Sequence, residues 1–155
     1  MKKLLLLLFL GFTLFGFSQT TLIPDPNFEQ ALIDLGYDTA PIDGMVLTAN
    51  ISSVTSLNVS NKNIADLTGI EDFTALTFMN LNGNQLTSLD ISNNIALEDL
   101  RCASNQLTSI DVTNNTSLTY WNITGNQLTS LDISNNIALT FLNISSNQLT
   151  NLDIS

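Results

Sequence analysis

The chain has 155 residues, with 14 acidic side chains against four basic ones, no histidine, and a single cysteine, Cys102. Its formal net charge of −10 opposes binding to nucleic acid and to anionic membrane surfaces. One cysteine cannot form an internal disulfide, and the usual zinc ligands are missing, so packing must supply the stability.

The first 18 residues have the pattern of an export signal. Two lysines precede an apolar run over residues 4–17, and the small residue Ser18 suits cleavage there, with Gln19 as the alternative. The run is shorter than the roughly 20 residues that a spanning helix needs, although a retained anchor is the alternative. We therefore predict that residues 1–18 are a signal peptide, that the mature chain is secreted or held at the cell surface, and that it does not insert into a membrane after signal removal.

Residues 19–50 are predicted to form an N-terminal cap. Residues 20–26 are expected to be extended, and residues 37–48 to be a loop with a turn at Asp43-Gly44. Between them, residues 27–35 are predicted to form a short helix that seals the first apolar layer of the following domain.

The ends and the apolar face of this helix follow from its sequence. Asn27 with Gln30 resembles a capping box, and Gly36 suits the C-terminal stop. The predicted apolar face consists of Phe28, Ala31, Leu32 and Leu35.

Residues 51–155 repeat themselves. The first coil begins near residue 54, and further coils begin near residues 76, 97, 118 and 139, with the last one truncated. Within the later coils, leucines recur at alternating intervals of ten and eleven residues. A 21-residue period predicts a solenoid, and the alternation of apolar residues predicts two short parallel strands per coil with little helix.

Asparagine marks both corners of each coil. Backbone N–H and C=O groups that point inward at a corner must be paired, and an amide offers donors and an acceptor to its own coil and the next. A glycan-acceptor role is the alternative, but a chain this rich in Asn, Ser and Thr matches the N-x-S/T pattern by chance. The two structural columns are Asn84, Asn105, Asn126 and Asn147, and Asn94, Asn115 and Asn136.

The pattern L-x-x-L-x-L-x-x-N-x-L, present at residues 76–86, 97–107, 118–128 and 139–149, resembles the leucine-rich repeat family. More narrowly, NQLTSLDISNN, preceded by PDPNFEQALIDLGYD and DLTGIEDFTAL, resembles secreted, internalin-like leucine-rich-repeat proteins of Bacteroidetes-type bacteria. The resemblance implies a right-handed, β-rich horseshoe, an exported location and a binding role, without naming a ligand. Such proteins often carry more repeats and a sorting or anchoring domain. We therefore expect a fragment whose uncapped last coil could associate end to end with another copy.

The repeats differ mainly on one exposed face. The outward positions of the second half-turn are copied almost verbatim, whereas those of the first half-turn vary. We predict that the variable face binds a protein or a surface glycan; strand propensity with cross-strand stacking is the alternative explanation. The predicted face consists of Phe78, Asn80, Asp99, Arg101, Tyr120, Asn122, Phe141 and Asn143.

Catalysis and cofactor binding are not expected. The chain lacks the usual histidine base, and both Cys102 and Trp121 fall in inward columns, where we predict core roles. A structural stalk, part of a longer surface protein whose activity lies elsewhere, is the main alternative to a binding module. An outward acidic column is predicted to be a solvated stripe, with calcium binding as the alternative. This acidic column consists of Asp90, Asp111, Asp132 and Asp153.

Overall fold

The computed structural model describes residues 19–154 as a solenoid of about five turns with little helix, preceded by a short helical cap. The predicted signal peptide lies outside the described residues. In chain order the elements are β1 (Thr20–Leu22), α1 (Pro26–Asp34), β2 (Met45–Leu47), α2 (Thr48–Ile51), β3 (Ser56–Asn58), a 3-10 turn (Ile70–Asp72), β4 (Phe78–Asn80), β5 (Asp99–Arg101), β6 (Tyr120–Asn122), β7 (Ser130–Asp132), β8 (Phe141–Asn143) and β9 (Asn151–Asp153).

The main sheet takes one strand from each coil. Its five strands are parallel and ordered β3-β4-β5-β6-β8, and each residue pairs with its repeat equivalent in the neighbouring coil. Paired residues are 22 positions apart between β3 and β4 and 21 apart in the other pairs. The register is kept because a slip of one residue would turn each strand's buried middle side chain outward.

The second sheet is smaller than predicted. Only β7 and β9 pair, so among the described residues the second half-turns of the earlier coils are not strands. Surface cavities of about 340 and 300 Å³ open between second half-turns, the first beside residues 66–71 and 88–93 and the other between residues 109–113 and 130–132.

The core lies inside the coils and continues into the cap. Val54, Leu57, Val59 and Ile64 of the first coil are buried, as are Met79, Leu81 and Leu86 of the second. Cys102 and Trp121 are fully buried, as their inward columns predict. At the N-terminal end, the ring of Phe28 in α1 lies 6.3 Å from that of Phe73, which joins the cap to the first coil.

The predicted capping box is wrong. The N-cap of α1 is Asp25, whose Oδ1 accepts the N–H groups of Asn27 and Phe28 at 2.8 and 3.1 Å. Pro26 starts the helix because its fixed φ suits the first turn and its missing N–H is not needed there. Gln30 instead donates to Asp34.

Two further features of the cap were not predicted. Strand β1 pairs antiparallel with β2, which lies in the segment expected to be a loop. The buried carboxylate of Glu29 accepts the N–H groups of Asp43 and Gly44, and so holds the turn before β2 against α1. Leu35, expected on the apolar face of the helix, is 43% exposed. No helix within residues 19–154 has the length and apolarity to span a bilayer.

Candidate binding face

The main sheet brings the eight predicted face residues together in two columns. In each of the strands β4, β5, β6 and β8, the middle residue points into the core and the two flanking residues point outward. One column therefore holds Phe78, Asp99, Tyr120 and Phe141, and the other holds Asn80, Arg101, Asn122 and Asn143.

Three aromatic rings and one arginine side chain on this face form a continuous stack. The guanidinium carbon of Arg101 lies 5.2 Å from the ring centroid of Phe78 and 4.9 Å from that of Tyr120. The rings of Tyr120 and Phe141 have centroids 4.3 Å apart and planes 4° apart. Parallel strands about 4.8 Å apart impose this spacing on equivalent side chains. We call this stack of Phe78, Arg101, Tyr120 and Phe141 the aromatic–arginine ladder.

Asp99 orients the arginine of the ladder. Its carboxylate accepts two hydrogen bonds from Arg101, from Nε at 3.0 Å and from Nη2 at 2.8 Å. These bonds raise the pKa of Arg101, and their fork geometry fixes the plane of the guanidinium. The pair is partly exposed and contributes little stability, but it cancels the positive charge of the face.

The asparagines of the second column are oriented by their own backbone. In each, Oδ1 accepts the N–H group two residues further on, at 3.1–3.2 Å, in Asn80, Asn122 and Asn143. Arg101 takes the place of an asparagine in this column, and its side chain has no oxygen to accept the N–H of Ala103. The N–H of Ala103 donates instead to Oδ1 of Asn82 in the preceding coil, at 2.7 Å.

The first structural asparagine column links each coil to the one before it. The Nδ2 group of Asn105 donates to the carbonyls of Leu81 and Cys102, at 3.0 and 3.1 Å, and its Oδ1 accepts the N–H of Leu86 at 3.1 Å. The same arrangement recurs at Asn84, Asn126 and Asn147. The bonds therefore run to the residue's own coil and the preceding one, not to the following one as expected.

The second structural column bonds differently. Asn115 donates both Nδ2 protons to the preceding coil, to the carbonyls of Ile91 and Asn94, each at 3.0 Å. Its buried Oδ1 has no hydrogen-bond partner among the described residues, and the same holds for Asn94 and Asn136. This column therefore acts through its donors alone.

The acidic column is exposed and bonded locally. Asp90, Asp111 and Asp132 each accept the N–H of the residue two positions on, at 2.9–3.0 Å. At Asp111 and Asp132 the hydroxyl of that same Thr or Ser also donates, at 2.7 Å. These hydrogen bonds lower the pKa of all three carboxyl groups. Within residues 19–154 no group of three or more Cys, Asp or Glu side chains is arranged to hold a metal ion.

The other chemically reactive groups serve the fold. Asp66 and Glu71 line the larger cavity, but Asp66 accepts from the N–H and hydroxyl of Thr68, and Glu71 accepts the N–H of Gly69. Burial raises the pKa of the Cys102 thiol to about 12, which leaves it un-ionised and unreactive at neutral pH.

Comparisons with known proteins agree with this repeat architecture. A sequence model of the leucine-rich-repeat domain of the endo-β-N-acetylglucosaminidase EndoS matches residues 49–155. The chain belongs to this leucine-rich-repeat family. The leucine-rich-repeat chain is also 42% identical over 71 residues to Internalin J of Listeria monocytogenes, a match that covers 46% of this chain and 8% of that protein.

Solved structures show the same fold. The functional domain of InlJ from L. monocytogenes, which includes a cysteine ladder, matches with a TM-score of 0.80 and 39% identity, over 89% of this chain and 31% of that one. The internalin InlF of the same species matches with a TM-score of 0.66 and 25% identity, over 83% of this chain and 45% of that one. The chain thus spans less than a third of the InlJ domain, and its own single cysteine cannot form a ladder.

Proposed function

We propose that this leucine-rich-repeat solenoid is an exported, non-enzymatic binding module that attaches to a protein or glycan on another surface through the aromatic–arginine ladder. The observation that carries the proposal is the ladder itself. It spans four coils, and it occupies the face where the copies of the repeat differ from one another.

The composition of the ladder suits recognition. Tyrosine and arginine are among the residues that most often supply binding energy at protein interfaces. Tyrosine buries a large area with few rotatable bonds to fix, and arginine offers several hydrogen-bond donors in a planar group. Here the rings are already held by stacking and Arg101 by Asp99, so little side-chain entropy remains to be lost on binding. Phe141 is 42% exposed. Exposure of an aromatic ring to water is unfavourable, and a partner that covered the ring would remove that cost.

Export is the second part of the proposal, and it is supported by the charged and apolar leader. Expression of residues 1–155 in a bacterium that secretes proteins should give an extracellular chain that begins at Gln19 or Thr20. Mass spectrometry of the culture fluid measures this start. A chain that stays in the cytoplasm with its leader intact would contradict export. The predicted Bacteroidetes-type origin stays a prediction, because the relatives named above come from Listeria.

The binding proposal is tested by removing the rings of the ladder. The variant F78A/Y120A/F141A, here called the ring-deleted variant, should lose binding to intact target cells or to a panel of immobilised matrix proteins and glycans. The matched control is I95A/I137A, which removes two exposed side chains, 60% and 92% accessible, from outside the face. Equal melting temperatures for the variants and the wild type would show that the fold is kept.

A structural stalk remains the second candidate. The chain spans only 8% of Internalin J and 31% of the InlJ domain, so an activity could reside in other parts of a longer protein. In that case, binding by a longer protein that contains these repeats would survive the ring deletion.

A further inference from the structure

We infer that the partner of the ladder face is a protein segment that presents backbone carbonyl oxygens, and not a carbohydrate that stacks on the rings. This inference rests on the proposed function and narrows it to one class of partner. It follows from three features of the face: which parts of the rings are free, which hydrogen-bonding atoms point outward, and what charge surrounds them.

The ring faces inside the ladder are already occupied, and the outer faces of the two end rings, Phe78 and Phe141, are the ones left uncovered by it. Arg101 lies between Phe78 and Tyr120, and the other face of Tyr120 is covered by Phe141 with nearly parallel planes. A sugar binds an aromatic residue by laying its C–H groups on the electron-rich face of the ring, and within the ladder those faces are not available. Between its two ends, the stack therefore presents ring edges to a partner. These carry partial positive charge and attract oxygen atoms.

The asparagines beside the ladder also present donors. Because Oδ1 of each accepts the backbone N–H of the residue two positions further on, the Nδ2 group lies on the other side of the amide, away from that N–H. No partner for these Nδ2 groups is found among residues 19–154, at Asn58, Asn80, Asn122 and Asn143. They stand one per strand, about 4.8 Å apart, with the guanidinium of Arg101 completing the row. We call them the donor row.

Charge decides between neutral and anionic acceptors. Two of the four basic residues lie in the leader, so residues 19–154 hold the other two, Lys62 and Arg101, against all 14 acidic residues. Both cations are paired, Lys62 with Asp34 at 2.9 Å and Arg101 with Asp99 at 2.8 Å. Sulfated or sialylated glycans and acidic peptides would therefore meet net repulsion. Uncharged carbonyl oxygens are the acceptors that fit a donor-rich face on an acidic protein.

Three of the four amides in the donor row can be replaced while an oxygen is kept for each local N–H. The variant N80D/N122D/N143D, here called the donor-deleted variant, keeps an oxygen for each local N–H and replaces each outward NH2 group by an acceptor. Its matched control is N93D/N114D/N135D, which makes the same three changes at exposed positions outside the face. The single pair N122D and N114D repeats the test if the triple variants prove less stable.

Two probes are applied to the wild type and all variants: a displayed library of random dodecapeptides and an array of neutral oligosaccharides. We expect selected peptides to bind the wild type and the control equally. On the donor-deleted variant they should bind about tenfold or more weakly, since each lost hydrogen bond costs a few-fold in affinity. Binding should also be lost with the ring-deleted variant. The weakening should persist in 0.5 M salt, because a lost donor, unlike an added charge, is not screened.

The other outcomes distinguish a wrong partner class from a wrong binding function. Oligosaccharides that bind the wild type and fail on the ring-deleted variant would overturn the protein partner while supporting the face. Peptides that need the rings but ignore the donor-deleted variant would overturn the role of the donor row. If no ligand depends on the rings, the proposed function itself is wrong.

Discussion

Replacing one asparagine from each structural column by alanine should have unequal effects on stability. Asn105 and Asn115 are both buried and lie ten residues apart, and each donates two hydrogen bonds of 3.0–3.1 Å to backbone carbonyls. Asn105 has one further, longer bond of 3.3 Å, to the carbonyl of the half-buried Ala103. Each substitution removes the same side-chain atoms and creates a similar cavity. The comparison therefore isolates the hydrogen bonds.

Asn105→Ala leaves a backbone donor unpaired. The carbonyls of Leu81 and Cys102 keep one partner each, from Asn84 and Asn126, so each loses only its second hydrogen bond. The buried N–H of Leu86 loses Oδ1 of Asn105, its acceptor. An unpaired buried donor costs about 1–3 kcal/mol, and each lost second bond about 0.5–1.5 kcal/mol. The sum is about 4 kcal/mol.

Asn115→Ala has an offsetting gain. The carbonyls of Ile91 and Asn94 keep the N–H groups of Asn94 and Leu97, so again two second bonds are lost, worth about 1–3 kcal/mol together. The substitution also removes the unpaired Oδ1, whose burial costs a comparable amount, about 1–3 kcal/mol. The two changes roughly cancel.

We therefore expect Asn105→Ala to be about 3–4 kcal/mol less stable than Asn115→Ala. Urea unfolding followed by far-ultraviolet circular dichroism measures both free energies of unfolding, and the melting temperatures should differ by about 6–16 °C. Equal losses, or a larger loss for Asn115→Ala, would refute the hydrogen-bond reasoning. They would show that Oδ1 of Asn115 has a partner in solution, such as an ordered water.

Four further predictions concern the cap, the core and the acidic column. Burial raises the pKa of Asp25, but four backbone N–H bonds outweigh it and lower the pKa below the usual value. Asp25→Ala should thus cost about 2–4 kcal/mol at neutral pH, and the difference from the wild type should shrink as the pH falls below about 4, the unfolded-state value; a constant difference would refute this. Gly69→Ala should cost about 2 kcal/mol or more, because φ is +102° and a Cβ would lie 2.6 Å from the carbonyl oxygen of Leu22, whereas Gly36→Ala, with open space around it, should cost about 1 kcal/mol. Cys102 should react with a maleimide at pH 8 only as the chain unfolds, so urea should accelerate labelling; fast labelling of the native chain would contradict its burial. Calcium should not raise the melting temperature beyond sodium chloride of equal ionic strength, since Asp90, Asp111 and Asp132 of the acidic column are bonded within their own turns; a rise of several degrees would favour the calcium alternative.

Much of the solenoid could be predicted from the sequence, because the information is local and repeated. Whether a side chain points inward depends on its position within the repeat, and five copies of the repeat agree on which positions are apolar. Cys102 and Trp121 were assigned to the core in this way although neither matches the consensus leucine, and both are fully buried. The same phase placed Phe78, Asp99 and Tyr120 in one outward column, which the strand register reproduces.

Prediction was poorest where contacts join distant parts of a sequence that does not repeat. The helix start depends on the local sequence Asp25-Pro26, where Asp25 caps Asn27 and Phe28, but the second role of Asp25 leaves no local pattern: its Oδ2 accepts the N–H groups of Ala65 and Asp66, some 40 residues away. The pairing of β1 with β2 and the burial of Glu29 were missed for the same reason. The second sheet was overestimated because periodicity records which way side chains point, but not how closely neighbouring backbones approach.

The sequence by itself therefore determined the coils, their core columns and the residues of the candidate face, since a fixed period places equivalent residues side by side. Only the tertiary structure decided how those residues use their atoms. It placed Arg101 between two rings, turned the amide oxygens of the face toward their own backbone, and left the oxygens of the second asparagine column unpaired. The physical reason is that hydrogen bonds and ring stacking depend on distances of a few tenths of an ångström between adjacent coils. A repeat length specifies which residues are neighbours but not these distances.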